Sequence, residues 1–217
     1  MRLIRAGGLL LSIAWCSCSA ATAPDEHDTN SVSEEAISAF FADRLAGKTA
    51  TFAGEKTMNL WEVEQQRQWV WETWKAANEA FAEEKLIDLK PLSETSLGRW
   101  VLPESLERDA VMPYYWGTKG EGKPKDGFPL YLYLHGSGDK HQEWATGLTL
   151  CTRFDDAPSA YFIPQIPNEG EYYRWWQKAK QFAWEKLLRQ SLVSGQIDPD
   201  RMYIFGISEG GYGSQRL

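Results

Sequence analysis

One serine in this chain stands where a nucleophile could work. Gly206, Ile207, Ser208, Glu209 and Gly210 read G-x-S-x-G directly after the apolar run 202–205. With 18 glycines in 217 residues such a pattern arises easily by chance, so its meaning rests on context. The chemistry needs a strand before the serine and a helix after it, because a sharp turn between them lifts the hydroxyl clear of the sheet. Gly206 and Gly210 suit that turn, since neither puts a side chain against the neighbouring strand or helix. Gly211 and Gly213 give the following helix poor propensity but allow close approach to the sheet.

A second constellation lies upstream, where the run 130–134 stops abruptly at His135, Gly136, Ser137 and Gly138. A glycine-rich turn after a buried strand can aim backbone N–H groups at a developing negative charge. Each such fixed donor is worth about 3–4 kcal/mol to an acyl-transfer transition state. The N–H of Ser137 or Gly136 is one candidate donor and the N–H of Glu209, next to the serine, is the other. His135 reads as a packed, hydrogen-bonded residue, His141 as a surface residue, and His27 as part of a polar tether. No grouping of His, Cys, Asp and Glu has metal-ligand spacing, no phosphate loop is present, and no cofactor is expected.

The elements that must position these residues follow from periodicity. Runs at 100–102 and 110–115 read as a hairpin-like pair of strands, and those at 130–134, 161–163 and 202–205 as strands buried on both faces. A helix is expected over 171–194, with Trp175, Ala179, Phe182, Ala183 and Leu187 toward the sheet. The order strand, helix, strand implies right-handed crossovers and a mostly parallel sheet with helices on both faces. Upstream, Ser31 with Glu34 reads as a capping box before a helix carrying Ile37, Phe40, Phe41 and Leu45, stopped at Gly47. A second helix is expected over 60–85, with Val63, Val70, Trp74, Ala77 and Phe81 on one face. That face either packs on the rest of the chain or, with Trp71 beside Trp74, gathers substrate. The cluster Tyr172, Tyr173, Trp175 and Trp176 has the same two readings, helix packing or stacking on sugar rings, and Asp155 and Asp156 read as local caps.

The stretches YLYLHGSGD (131–139) and DPDRMYIFGISEGGYGS (198–214) resemble α/β-hydrolases of the secreted esterase group that includes feruloyl esterases, polyhydroxybutyrate depolymerases and related peptidases. The resemblance covers about half the chain, from Gly98 onward, and nothing comparable covers 31–89. It implies an α/β-hydrolase fold and a serine hydrolase forming an acyl-enzyme. Ser208 would be the nucleophile, Gly136, Ser137 and Glu209 the oxyanion donors, and Gly206 and Gly210 the support of the turn. The substrate would be a small-molecule or polysaccharide-linked ester. Two alternatives stand beside it, a prolyl-oligopeptidase-like peptidase and a noncatalytic carbohydrate-binding surface protein. The triad order in such folds is serine, acid, histidine, and no histidine follows Ser208 here. The expectation is therefore a fragment, truncated after the nucleophile turn, that lacks its base and is inactive alone.

Composition sets the outer bounds. A hydrophobic content of 43% with 24% charged residues is that of a globular protein, and a net charge of -7 gives no footprint for nucleic acid. Arg2 and Arg5, the apolar run 7–15 and the small residues after it read as an export signal over 1–20, with a tether over 21–30. Ser17-Cys18 resembles a lipoprotein box, which implies either a membrane anchor through a lipid on Cys18 or ordinary cleavage near Ala20. The expected location is the periplasm or cell surface. Residues 31–95 then form a helical extension and 96–217 the partial catalytic domain. Cys151 reads as a small buried hydrophobe, with pairing outside this segment as the alternative.

Overall fold

The computed structural model describes residues 33–52, 58–167 and 174–217. The export signal, Cys18, the tether and the expected cap Ser31 lie outside the described residues. Two helices come first, α1 (Glu34–Leu45) and α2 (Leu60–Ala80). Ser33 caps α1, accepting from the N–H of Ala36, so the cap stands two residues later than the Ser31 pattern suggested. Asn59 and Glu62 form the reciprocal capping box of α2, and Phe81 ends that helix in extended conformation, short of the expected 85.

Six strands build one sheet: β1 (Lys90–Pro91), β2 (Leu97–Val101), β3 (Val111–Lys119), β4 (Phe128–Leu134), β5 (Ser159–Pro164) and β6 (Ile197–Gly206). Their order is β1-β3-β5-β4-β6, with β2 also pairing β3. Strands β4, β5 and β6 are mutually parallel; β3 runs against β5 and β2. The architecture is thus α/β with a mixed, mostly parallel sheet. Helix α3 (Lys140–Arg153) follows β4, α4 (Lys178–Val193) follows β5, and the short α5 (Glu209–Ser214) follows β6.

Side chains alternate across the sheet as strand geometry requires. Trp100, Tyr114, Leu130, Leu132, Leu134 and Phe162 pack with Trp184 and Leu187 of α4. Tyr115, Tyr133, Tyr161 and Ile163 pack with Leu148 and Cys151 of α3 on the other face. Strand β4 is buried at six of its seven positions, which explains its unbroken apolar sequence. Cys151 is fully buried, and burial pushes its thiol up to about 12, which leaves it chemically inert.

Three expectations shift. Helix α4 starts at Lys178, so Trp175 and Trp176 lie in the turn before it; 171–173 fall outside the described residues. Helix α3 was not anticipated at all. The apolar stripe of α2 does not supply its buried contacts, which come from Thr73 and Asn78. Strand β6 pairs only with β4 among the described residues and leaves Tyr203 48% exposed.

Candidate active site

Strand β6 delivers Ser208 to its position. At the near end Asp198 accepts from Arg201 Nε at 2.6 Å, and Arg201 reaches across to the carbonyl of Gly127, just ahead of β4. The guanidinium of Arg201 holds the Asp198 carboxyl below the usual carboxylate range, so this clasp is charged at neutral pH. At the far end Leu134 of β4 pairs with Gly206 of β6, and the N–H of Ile207 donates to the Leu134 carbonyl at 3.3 Å. Two parallel neighbours therefore end side by side, and the turns that leave them, 135–138 and 207–210, are adjacent.

The turn at Ser208 is strained. Its φ is +53° and ψ is -116°, and the N–H of Gly210 donates to the carbonyl of Ile207 at 2.9 Å. Ser208 thus occupies the first central position of a type II′ turn, which normally takes glycine. Among the described residues only Asp109 shares a positive φ without being glycine, and it is an exposed turn aspartate. Holding a serine there costs about 1–3 kcal/mol. The glycines make it feasible: a Cβ on Gly206 would come within 2.5 Å of the Leu134 oxygen and 2.6 Å of the Gly210 oxygen. A Cβ on Gly210 would overlap the Leu134 carbonyl outright, and one on Gly213 would meet Trp175 Cβ at 2.7 Å.

Ser208 is exposed, and its hydroxyl has no hydrogen-bond partner among the described residues. Glu209 begins α5, so its N–H has no partner within the helix. Across the gap Gly136 is buried and Ser137 exposed, and neither N–H donates to a described atom. A Cβ on Gly136 would lie 3.5 Å from the Ile207 carbonyl oxygen, which sets how closely the two turns approach.

His135 holds this floor, with both of its ring nitrogens engaged. It is fully buried, its Nδ1–H donates to the Gly136 carbonyl at 2.6 Å, and its Nε2 accepts from the N–H of Ile166 at 3.1 Å. Burial lowers its pKa below the ordinary value, outweighing the Gly136 bond and the nearby Glu143 charge that favour protonation. Its carbonyl accepts from Trp175 Nε1 at 3.0 Å, and the two rings meet edge to face. His141 is exposed, and its Nδ1 accepts from Gln165 Nε2 at 2.8 Å.

Three contributors were missed from the sequence. Glu143, on α3, lays its carboxylate along the 136–138 turn, 3.1 Å from where a Cβ on Gly136 would stand. Asp139 caps α3 by accepting from the N–H of Gln142 at 2.9 Å. The cap pattern Asp139-x-x-Gln142 followed by Trp144, Leu148 and Cys151 at helical spacing was the signal that could have placed it. Arg174 pairs with Glu209 at 3.4 Å, an approach between distant segments that no local pattern reveals.

Among the described residues no group of three His, Cys, Asp or Glu is placed to hold a metal ion, and no helix is long and apolar enough to cross a membrane. No family model matches the chain, and no curated protein or solved structure matches it.

Proposed function

We propose that this chain carries the nucleophile and oxyanion donors of a serine hydrolase of α/β-hydrolase type that cleaves an ester through an acyl-enzyme. One observation carries the reading: a non-glycine residue held at φ +53°, exposed at the carboxyl end of β6 and beside the 135–138 turn. Strain of this kind persists only where the surroundings impose it, and the inference runs from that outlier to function. In the reaction the Ser208 oxygen attacks the ester carbonyl, its proton passes to a base, and the N–H groups of Glu209 and of Ser137 or Gly136 receive the carbonyl oxygen's charge. Collapse expels the alcohol, and water then releases the acid.

The base has to be an imidazole other than His135, whose two nitrogens are both engaged. Among the described residues the other imidazole is His141, exposed on α3 with its Nδ1 held by Gln165; the reading takes its base from outside the described residues. Cavities of about 380 Å³ beside Met202 and Ile204 and about 400 Å³ beside Tyr203 and Phe205 lie open against the two faces of β6. An ester is favoured over a peptide on the resemblance in 131–139 and 198–214.

Fluorophosphonate labelling of the native protein as its own cells make it tests the proposal, with a panel of ester and amide substrates. Labelling at Ser208, abolished by Ser208→Ala, is the expected result, and the 217-residue chain alone should turn over no p-nitrophenyl acetate. A native protein that hydrolyses esters yet is labelled elsewhere, or whose Ser208→Ala variant keeps full activity, would overturn it.

A further inference from the structure

Among the described residues β6 is bonded on one side only, and its free edge is unguarded. The N–H of Ile207 donates to the Leu134 carbonyl, and along a parallel ladder alternate residues turn to the same side. Tyr203 and Phe205 therefore bond toward β4, while Met202, Ile204 and Gly206 present their N–H and C=O groups outward. Folded proteins blunt such an edge with a charge, a proline, a bulge or a very short strand. The opposite margin of the sheet is built that way: β1 is two residues long and ends on Pro91, and β2 carries Arg99 at its centre. On β6 the register shift comes before Met202, and the run from Met202 to Gly206 has no charge and no proline. Its flanks are apolar on both faces. Leu188 and Leu217 are exposed on the α4 side beside Met202 and Ile204, and Phe154 is exposed on the other side beside Tyr203 and Phe205.

Three features of this edge define what fits it. The occupant is extended, it brings apolar side chains to both faces, and it meets the end of an aromatic row. Tyr161, Tyr131 and Tyr203 stand in register on β5, β4 and β6, stacked at 5.2 and 5.1 Å, and the row stops at the free edge with Tyr203 half exposed. Strand β6 itself, turned end for end, has all three. About a two-fold axis through the sheet at Tyr203, Tyr203 opposes Tyr203 of a second copy, Met202 opposes Ile204, and Arg201 opposes Phe205. The outward groups of Met202 and Ile204 then exchange hydrogen bonds as a pair, and Tyr203 falls at the closer, non-bonded position, where the tyrosine row continues across the axis. The one charge in the run 201–205 faces an aromatic ring, so no like charges are opposed.

We infer that two copies of this chain pair antiparallel through β6, joining their sheets across a two-fold axis at Tyr203. The contact is isologous and uses the unguarded edge of each copy, so it closes at two copies and does not grow into a filament. Both α4 helices then lie on one face of the joined sheet, and the cavity beside Met202 and Ile204 of each copy opens toward the other. The paired run ends before the Ser208 turn, and the inference does not depend on the hydrolase reading.

Sedimentation equilibrium of the 217-residue chain tests it, with far-UV circular dichroism as the check on folding. The wild type should be a dimer. Tyr203→Lys and Tyr203→Glu each put like charges face to face on the axis, and each should weaken the dimer by roughly tenfold or more, whereas an equimolar mixture of the two should associate as the wild type does. Hydrogen exchange needs no substitution. The amides of Met202 and Ile204 should be protected in the dimer and lose that protection on dilution, while those of Tyr203 and Phe205, bonded to β4, keep theirs. A monomeric wild type overturns the inference, and so do folded Tyr203→Lys and Tyr203→Glu that associate as tightly as the wild type. A mixture that associates no better than its components overturns it as well, as do Met202 and Ile204 amides that exchange alike at every concentration.

Discussion

Gly210 lies directly against the carbonyl of Leu134, so close that a single added methyl group on Gly210 would overlap it. The helix leaving Ser208 therefore rests on the end of the neighbouring strand, backbone on backbone. This approach fixes the Ser208 turn relative to the loop that begins one residue after Leu134.

Gly210→Ala should accordingly cost about 1–3 kcal/mol, the range for forcing atoms into a packed interior. Gly211→Ala is the control, because its Cβ would meet nothing closer than the Gly206 oxygen at 3.2 Å and would gain helix propensity of up to about 1 kcal/mol. Urea unfolding followed by tryptophan fluorescence should show the first variant clearly destabilised and the second near wild type.

Ser208→Gly should make the protein more stable, against the usual direction of glycine substitutions. Glycine takes φ +53° without strain, so about 1 kcal/mol or more of stored cost is relieved, less the entropy that glycine adds to the unfolded chain. A thermal midpoint that rises for Ser208→Gly while staying near wild type for Ser208→Ala is the expected pattern. Equal midpoints for all three would mean that the turn is not strained.

His135 gives stability a dependence on pH of known sign. Its folded pKa is lowered, chiefly by burial, so between that value and the ordinary 6.5 the unfolded chain binds the proton first. The contribution is complete above pH 6.5 and is lost as pH falls through the lowered folded value. His135→Gln keeps an acceptor for the Ile166 N–H but does not titrate in this window. Urea midpoints at pH 5 and pH 7.5 should differ more for wild type than for this variant.

The helical segment is fastened to the sheet domain by α4. Arg189 donates to both oxygens of Glu83 at 2.8 and 3.1 Å, and the Gln190 side chain donates to the Glu84 carbonyl and accepts from the N–H of Leu86. Burial pushes the Glu83 carboxyl up, but the bonds to Arg189 and Gln190 and the charges of Arg189 and Lys186 together bring it below its ordinary value. Glu83→Gln should cost about 1.5–3 kcal/mol, as for other hydrogen bonds to charged groups. Proteolysis within 81–89 should accelerate in Glu83→Gln and in Arg189→Met, with the sheet domain left intact.

How much of this could be read from residues alone depends on how local the signal is. Strand β4 and the G-x-S-x-G turn announce themselves because burial on both faces and steric demand at Gly206 and Gly210 each act over a few residues. The hairpin of β2 and β3 was legible for the same reason, and so was the α/β class from the alternation of elements. The site's supports were not, since Glu143 meets Gly136, and Arg174 meets Glu209, only after the sheet has brought distant segments together. Helix α2 misled because its periodicity correctly predicts a helix but does not say which face finds a partner. Trp175 was placed on the sheet side as it should be, yet a turn rather than a helix holds it there.

Trp175 touches both halves of the site: its Nε1 holds the His135 carbonyl, its ring meets the His135 imidazole, and its Cβ closes against Gly213. A single indole thus acts as a common hinge pin, and neither the 135–138 turn nor α5 can lift without displacing it. The amides of both segments should consequently exchange with deuterium in one shared opening event rather than as two independent populations. Two turns keyed in this way are either both in place or both released, so their mutual spacing does not drift by degrees.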